Sequence, residues 1–117
     1  MLRNINCEIY LYKYAVDMRK SIDGLSLIVA DRLEHNPCCG SIYVFYNKSL
    51  DKLKLLYWDN NGFCVWYKRL EKESFIIPKT GNNLILSLNY SQLQWLLDGL
   101  DINKLRGHKK LKYDQYY

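Results

Sequence analysis

No stretch of this sequence approaches the ~18 consecutive apolar residues that cross a bilayer, and its amino end lacks the layout of a secretion signal. A soluble, cytoplasmic protein is expected. The usual chemistry of active sites is equally scarce. The two histidines, His35 and His108, stand far apart, without a Gly-x-Ser-x-Gly or cysteine–histidine signature. The glycines of "GLS" and "GNN" have neither the spacing nor the following lysine of a phosphate-binding loop. Cys7, Cys38, Cys39 and Cys64 show no Cys-x-x-Cys spacing, and the adjacent pair would bridge only under strain, so reduced thiols are expected. A zinc site built from His35, Cys38, Cys39 and Cys64 is disfavoured, because two adjacent residues rarely aim at one tetrahedral ion.

Carboxylates are present but do not converge as two-metal nuclease chemistry requires, with metals roughly 4 Å apart. Asp17, Asp23, Asp31 and Asp59 are the candidates. On one helix, Asp17 and Asp23 would point about 120° apart. Each has a simpler duty: Asp17 as a helix N-cap, Asp23 as the i+4 partner of Arg19, Asp59 as the opening of a turn. No catalytic residue, metal or cofactor is assigned, and a metal-dependent nuclease is the least favoured function.

What is present is apolar and aromatic material for the core of one domain, 49% and 15% of 117 residues, and an uneven charge. Residues 104–117 hold five bases, Lys104, Arg106, Lys109, Lys110 and Lys112, against Asp114 alone, while residues 1–103 hold 12 bases and 11 acids. The chain divides into a near-neutral domain, 1–103, and a basic tail, 104–117. Such a tail suits a polyanion, since each phosphate it neutralises releases counterions. The plain alternative is a solvated, disordered end.

Local patterns give an α+β domain: an antiparallel β meander of about five strands with one long amino-terminal helix and one short carboxy-terminal helix. "CEIYLYKYAV" reads as a first strand. Met18, Ile22, Leu25, Val29 and Leu33 then recur at helical spacing for about five turns, capped by Asp17 and stopped by Asn36-Pro37. "SIYVFYN" is a buried strand, Asp59-Asn60-Asn61-Gly62 the turn of a hairpin over 52–70, and Ser74–Ile77 and Leu84–Leu88 two further strands. Asn89 and Gln92 have capping-box spacing before Leu93, Leu96 and Leu97, with Gly99 as the stop.

The hairpin register fixes two faces. Leu53, Leu55, Tyr57, Cys64, Trp66, Lys68 and Leu70 share one; Lys52, Lys54, Leu56, Trp58, Phe63, Val65, Tyr67 and Arg69 share the other. On the second, Lys52, Lys54 and Arg69 beside Trp58 and Tyr67 suit contact with phosphates and bases. Its alternatives are a sheet face covered by the carboxy-terminal helix, or a protein interface. Arg19 and Lys20 oppose the helix dipole in a first turn, which also points to an anionic partner.

"VDMRKSIDGL", "GSIYVFYN", "LKLLYWDNNGFCVWYKRLEKESF" and "LSLNYSQLQWLLDGLD" together resemble, in order and spacing from about residue 9 to residue 102, the accessory protein of the insertion-sequence-66 family. That protein is the product of the second open reading frame, called TnpB there and unrelated to the RNA-guided nuclease of the same label. Ser21-Ile22 stands where the family has a glycine–aromatic pair, and Asn89-Tyr90 where it has Thr-Pro; neither departure removes a charged group. The resemblance implies a bacterial mobile element whose catalytic transposase is a separate protein. The expected function is a non-enzymatic accessory factor for transposition whose partners are DNA, at element ends or without sequence preference, and the cognate transposase. Its DNA contacts would be the hairpin face, the tail, Arg19 and Lys20. The alternative is an interaction module that assembles the transposase and touches no DNA.

Overall fold

Backbone pairing begins in the first β-branched and aromatic run. The computed structural model describes residues 7–105. Strand β1 (Ile9–Tyr12) leads into helix α1 (Ile22–Leu27), which opens into one wide π-helical turn (Ile28–Arg32). Strands β2 (Ile42–Tyr46), β3 (Lys52–Asp59), β4 (Gly62–Arg69) and β5 (Ile85–Leu88) follow, then α2 (Tyr90–Leu97) and a last turn, α3 (Ile102–Leu105). The five strands form one sheet in the order β4-β3-β2-β1-β5.

The sheet is mixed, which corrects the meander expectation. β1 runs parallel to β2, with Ile9 opposite Ile42, while β5 adds antiparallel on the outer side of β1, with Leu11 opposite Leu86. A parallel neighbour needs a crossover, and α1 supplies it. Only β2-β3-β4 is a meander, and its hairpin has the expected register, Lys52 opposite Arg69 and Asp59 opposite Gly62. Asn60, with φ 60°, and Asn61 form the loop. The Ser74–Ile77 run makes no strand; it passes the sheet as an extended connection, with the Phe75 N–H donating to the Leu50 carbonyl at 2.7 Å and the ring buried.

The long amino-terminal helix is also corrected. Asp17 closes a local turn instead of capping: its carboxylate accepts the Arg19 N–H at 2.9 Å and grips the Arg19 guanidinium at 2.6 Å. Arg19 therefore pairs with Asp17 and not with Asp23. The Lys54 amine takes the Met18 and Lys20 carbonyls, both at 2.8 Å, which a longer helix would have used for its own N–H groups. Helix starts only after Ser21, with no side-chain cap. The periodic stripe nevertheless found its face, since Leu25 and Val29 are buried and Met18, Ile22 and Leu33 pack beside them against Tyr12, Phe45 and Leu56.

The opposite face of the sheet carries α2 and α3. Leu93, Leu96, Leu97 and Ile102 bury against Leu53, Leu55, Leu88 and Phe75. The result is three layers, α1 on one side of the sheet and α2 with α3 on the other, so the basic-aromatic hairpin face lies under the amino-terminal helix and not the carboxy-terminal one. Among the described residues no helix is long and apolar enough to cross a membrane.

Candidate nucleic-acid interface

Three chain segments meet at the open end of the hairpin. The first is the β1–α1 connection. β1 leaves the sheet after the Lys13 N–H bonds the Leu84 carbonyl, and the chain is held again where the Val16 N–H bonds the Tyr46 carbonyl, both at 2.8 Å. Tyr14 and Ala15, between these anchors, are pushed to the surface.

The second is the turn before β3, built by Asn47. Its side-chain oxygen accepts the N–H groups of Asp51 and Lys52 at 3.1 and 2.9 Å, and its amide donates to the Asp51 carboxylate at 2.7 Å. Leu50 is forced to φ 61°, a left-handed conformation that L residues other than glycine adopt only when neighbours over-determine it. The turn presents Lys48 and Ser49 to solvent.

Lys52 and Tyr67 of the hairpin complete a cleft of about 460 Å3 with Val16, Asp17, Arg19 and Lys48 among its walls. Arg19, Lys52 and Tyr67, each a candidate contact from the sequence, line this cleft together, and Tyr67 keeps 48% of its surface exposed. Lys48 was missed. Its signal was available: a lysine in the polar "NKS" turn between two strands has nowhere to point but solvent.

The other expected residues lie elsewhere or have structural duties. Lys54 sits behind the cleft on the Met18 and Lys20 carbonyls, its amine 5.6 Å from the Tyr67 ring centre. Arg69, opposite Lys52, bonds Glu71 at 3.0 Å. Trp58 is at the far end of the hairpin, edge-on to Phe63 with centroids 5.0 Å apart, and is half-buried. Lys20 lines a neighbouring groove beyond Asp17. Lys104 is exposed on α3, on the opposite side of the sheet, and Arg106, Lys109, Lys110 and Lys112 lie outside the described residues.

The cleft is positive but partly compensated. Lys52 lies 3.3 Å from Asp51, and Arg19 is pinned by Asp17. Hydrogen bonding from Arg19 holds the Asp17 carboxyl at about 2, so the acid remains ionised and its guanidinium partner stays fixed. Lys48 makes no ion pair among the described residues, while the charge of Lys20 helps to keep Asp17 ionised.

A second polar cluster tests for nucleophilic chemistry. Tyr43 OH lies 2.8 Å from His35 Nδ1 and 3.7 Å from Cys39 Sγ, which in turn reaches Ser41 Oγ at 3.3 Å. Partial burial pushes the Cys39 thiol up, but hydrogen bonds with Ser41 and Tyr43 outweigh it and bring it below its usual value. Burial pushes the Tyr43 phenol well up. His35 bonds the phenol and not the thiol, so the base–nucleophile contact of a cysteine–histidine pair is not made. Cys64 packs on the other sheet face, opposite Tyr57, apart from His35 and Cys39. Among the described residues no group of three or more His, Cys, Asp or Glu is placed to hold a metal.

Two curated proteins of Sinorhizobium fredii are similar to the chain. The uncharacterized protein y4jC is 34% identical over 91 residues, covering 78% of this chain and 77% of the relative. The uncharacterized protein y4hO is 32% identical over 96 residues, covering 82% and 83%. No solved structure matches. The sequence profile of the IS66 Orf2-like family, TnpB, matches residues 7–107, every segment that builds the cleft included, and the chain belongs to that family.

Proposed function

We propose that the protein is a non-enzymatic accessory factor of insertion-sequence transposition that binds DNA at the cleft between the β1–α1 connection, the Asn47 turn and the hairpin. One observation carries this: Arg19, Lys48 and Lys52, distant in sequence, converge around the exposed ring of Tyr67. Bases around an aromatic platform contact phosphate and nucleobase together, and such contacts are largely independent of sequence. The family tie supports a role in transposition. The tail bases Arg106, Lys109, Lys110 and Lys112 add phosphate contacts in this scheme, and the transposase is the second partner. The test is an anisotropy titration of labelled element-end DNA at two salt concentrations. Binding that weakens steeply with salt is expected, and absence of binding at low salt would sink the proposal.

A second function is favoured by the acids Asp17, Asp51 and Glu71, each paired to a base that the DNA scheme uses or lies beside. It is a protein-interaction module that assembles the transposase without touching DNA. It requires that Tyr67→Ala and Trp58→Ala weaken co-purification with the transposase, while removal of residues 104–117 leaves transposition frequency unchanged.

A further inference from the structure

Two aromatic rings stay exposed among the described residues, Tyr14 at 47% and Tyr67 at 48%. They are not scattered. Tyr67 lines the cleft described above, and Tyr14 lines a larger groove of about 660 Å3 between the β1–α1 connection and the outer side of α1, with Leu27 and Arg32 on its far wall. Val16 and Asp17 line both hollows, so the two adjoin across that loop with one exposed tyrosine in each.

Each ring has cations beside it. The Lys13 amine and the Arg32 guanidinium lie 5.5 and 5.9 Å from the Tyr14 ring centre, and the Lys54 amine 5.6 Å from that of Tyr67. Tyr14 is held from beneath, edge-on to the buried Tyr12 ring at 5.9 Å. Five bases line the two hollows against two acids, Asp17 and Asp31; Arg19 pairs with Asp17 and Lys52 with Asp51 beside the cleft, which leaves Lys20, Arg32 and Lys48 against Asp31. The surplus is positive.

We infer that this double hollow is a track for single-stranded DNA, one base stacked on Tyr14, another on Tyr67, and the phosphates between them held by the bases around the Val16–Asp17 loop. The inference rests on the DNA-binding proposal above and narrows it. In a duplex both faces of every internal base are covered by neighbours, so an exposed tyrosine has nothing to stack on; an unpaired strand offers each base's face. The positive surplus selects a polyanion over an apolar peptide. A DNA strand is the choice over RNA because the family belongs to a DNA element.

The experiment uses the full chain and labelled strands of about a dozen nucleotides, within the span one small domain covers. Oligo-dT, an abasic strand of equal charge, a duplex of equal length and oligo-U are titrated in parallel. Oligo-dT is expected to bind more tightly than the other three. Tyr14→Ala and Tyr67→Ala should each weaken oligo-dT at least about fivefold and narrow its advantage over the abasic strand, an advantage that the double variant should lose. Tyr67→Trp should restore tight binding. Both rings are exposed, so the variants should melt with the parent, and a circular dichroism melt checks this. Equal affinity for oligo-dT and the abasic strand, full oligo-dT binding by the folded double variant, or a preference for oligo-U would overturn the inference. In the first two cases, salt-sensitive duplex binding that persists leaves the broader DNA proposal standing; no binding to any strand at low salt removes both.

Discussion

Lys54 shows how one side chain divides between structure and function. Its place on the basic-aromatic face is as expected, yet its amine turns inward to the Met18 and Lys20 carbonyls at 2.8 Å each. Lys54→Met keeps the stem and deletes both charge-assisted bonds. A loss of about 1–3 kcal/mol in urea unfolding is predicted, with loosening of residues 17–21, and unchanged stability would show that these bonds are dispensable. Asp17 gives a pH test. With its carboxyl at about 2 in the fold and ordinarily near 3.9, its contribution is in full force above about pH 4 and is lost as pH falls through about 2. A carboxyl NMR titration should find the low midpoint, and Arg19→Ala should raise it only in part, because the residue-19 backbone N–H still donates to the carboxylate. Strand alternation placed Lys52 and Lys54 on one face of the hairpin, and the register agrees. It did not reveal that Lys54 is occupied, because a long flexible stem reaches carbonyls 36 and 34 residues away in sequence.

Among the elements, those with local stop and start signals were legible and those defined by distant partners were not. α2 has the reciprocal capping box, with the Asn89 oxygen accepting the Gln92 N–H at 2.8 Å and the Gln92 oxygen accepting the Asn89 N–H at 2.9 Å. It ends on Gly99 at φ 80°, whose N–H bonds the Leu96 carbonyl while the Leu100 N–H bonds that of Trp95. Asn89→Ala should cost about 1 kcal/mol by thermal or urea unfolding, and no loss would mean that tertiary packing alone holds the helix. α1 was overextended because its apolar stripe continues through Met18, while the competing claims of Asp17 and Lys54 on that turn come from side chains and not from periodicity. The parallel pairing of β1 with β2 was hidden for a related reason: strand composition announces a strand but not its neighbour. The Ser74–Ile77 run is the converse case. Its apolar residues serve to anchor Phe75 on the core rather than to join a ladder.

Across the whole molecule, the sheet separates a closed face from a partly open one. α2 and α3 close one face, while α1, short and followed by a wide π turn, covers only part of the other and leaves one hollow at the end of the hairpin and another beside the β1–α1 connection. Composition announced the basic tail but not the cleft, whose bases come from residues 19, 48 and 52 and are assembled only by folding. If the cations of this cleft hold DNA phosphates, the salt dependence of binding must change when they are removed. Titrating oligo-dT over a range of salt with the parent and with Lys48→Ala/Lys52→Ala should show the slope of log K against log salt become shallower by about 1.4, some 0.7 for each phosphate that is no longer neutralised. An unchanged slope in the folded double variant would contradict the account, because the cations holding the DNA would then lie elsewhere.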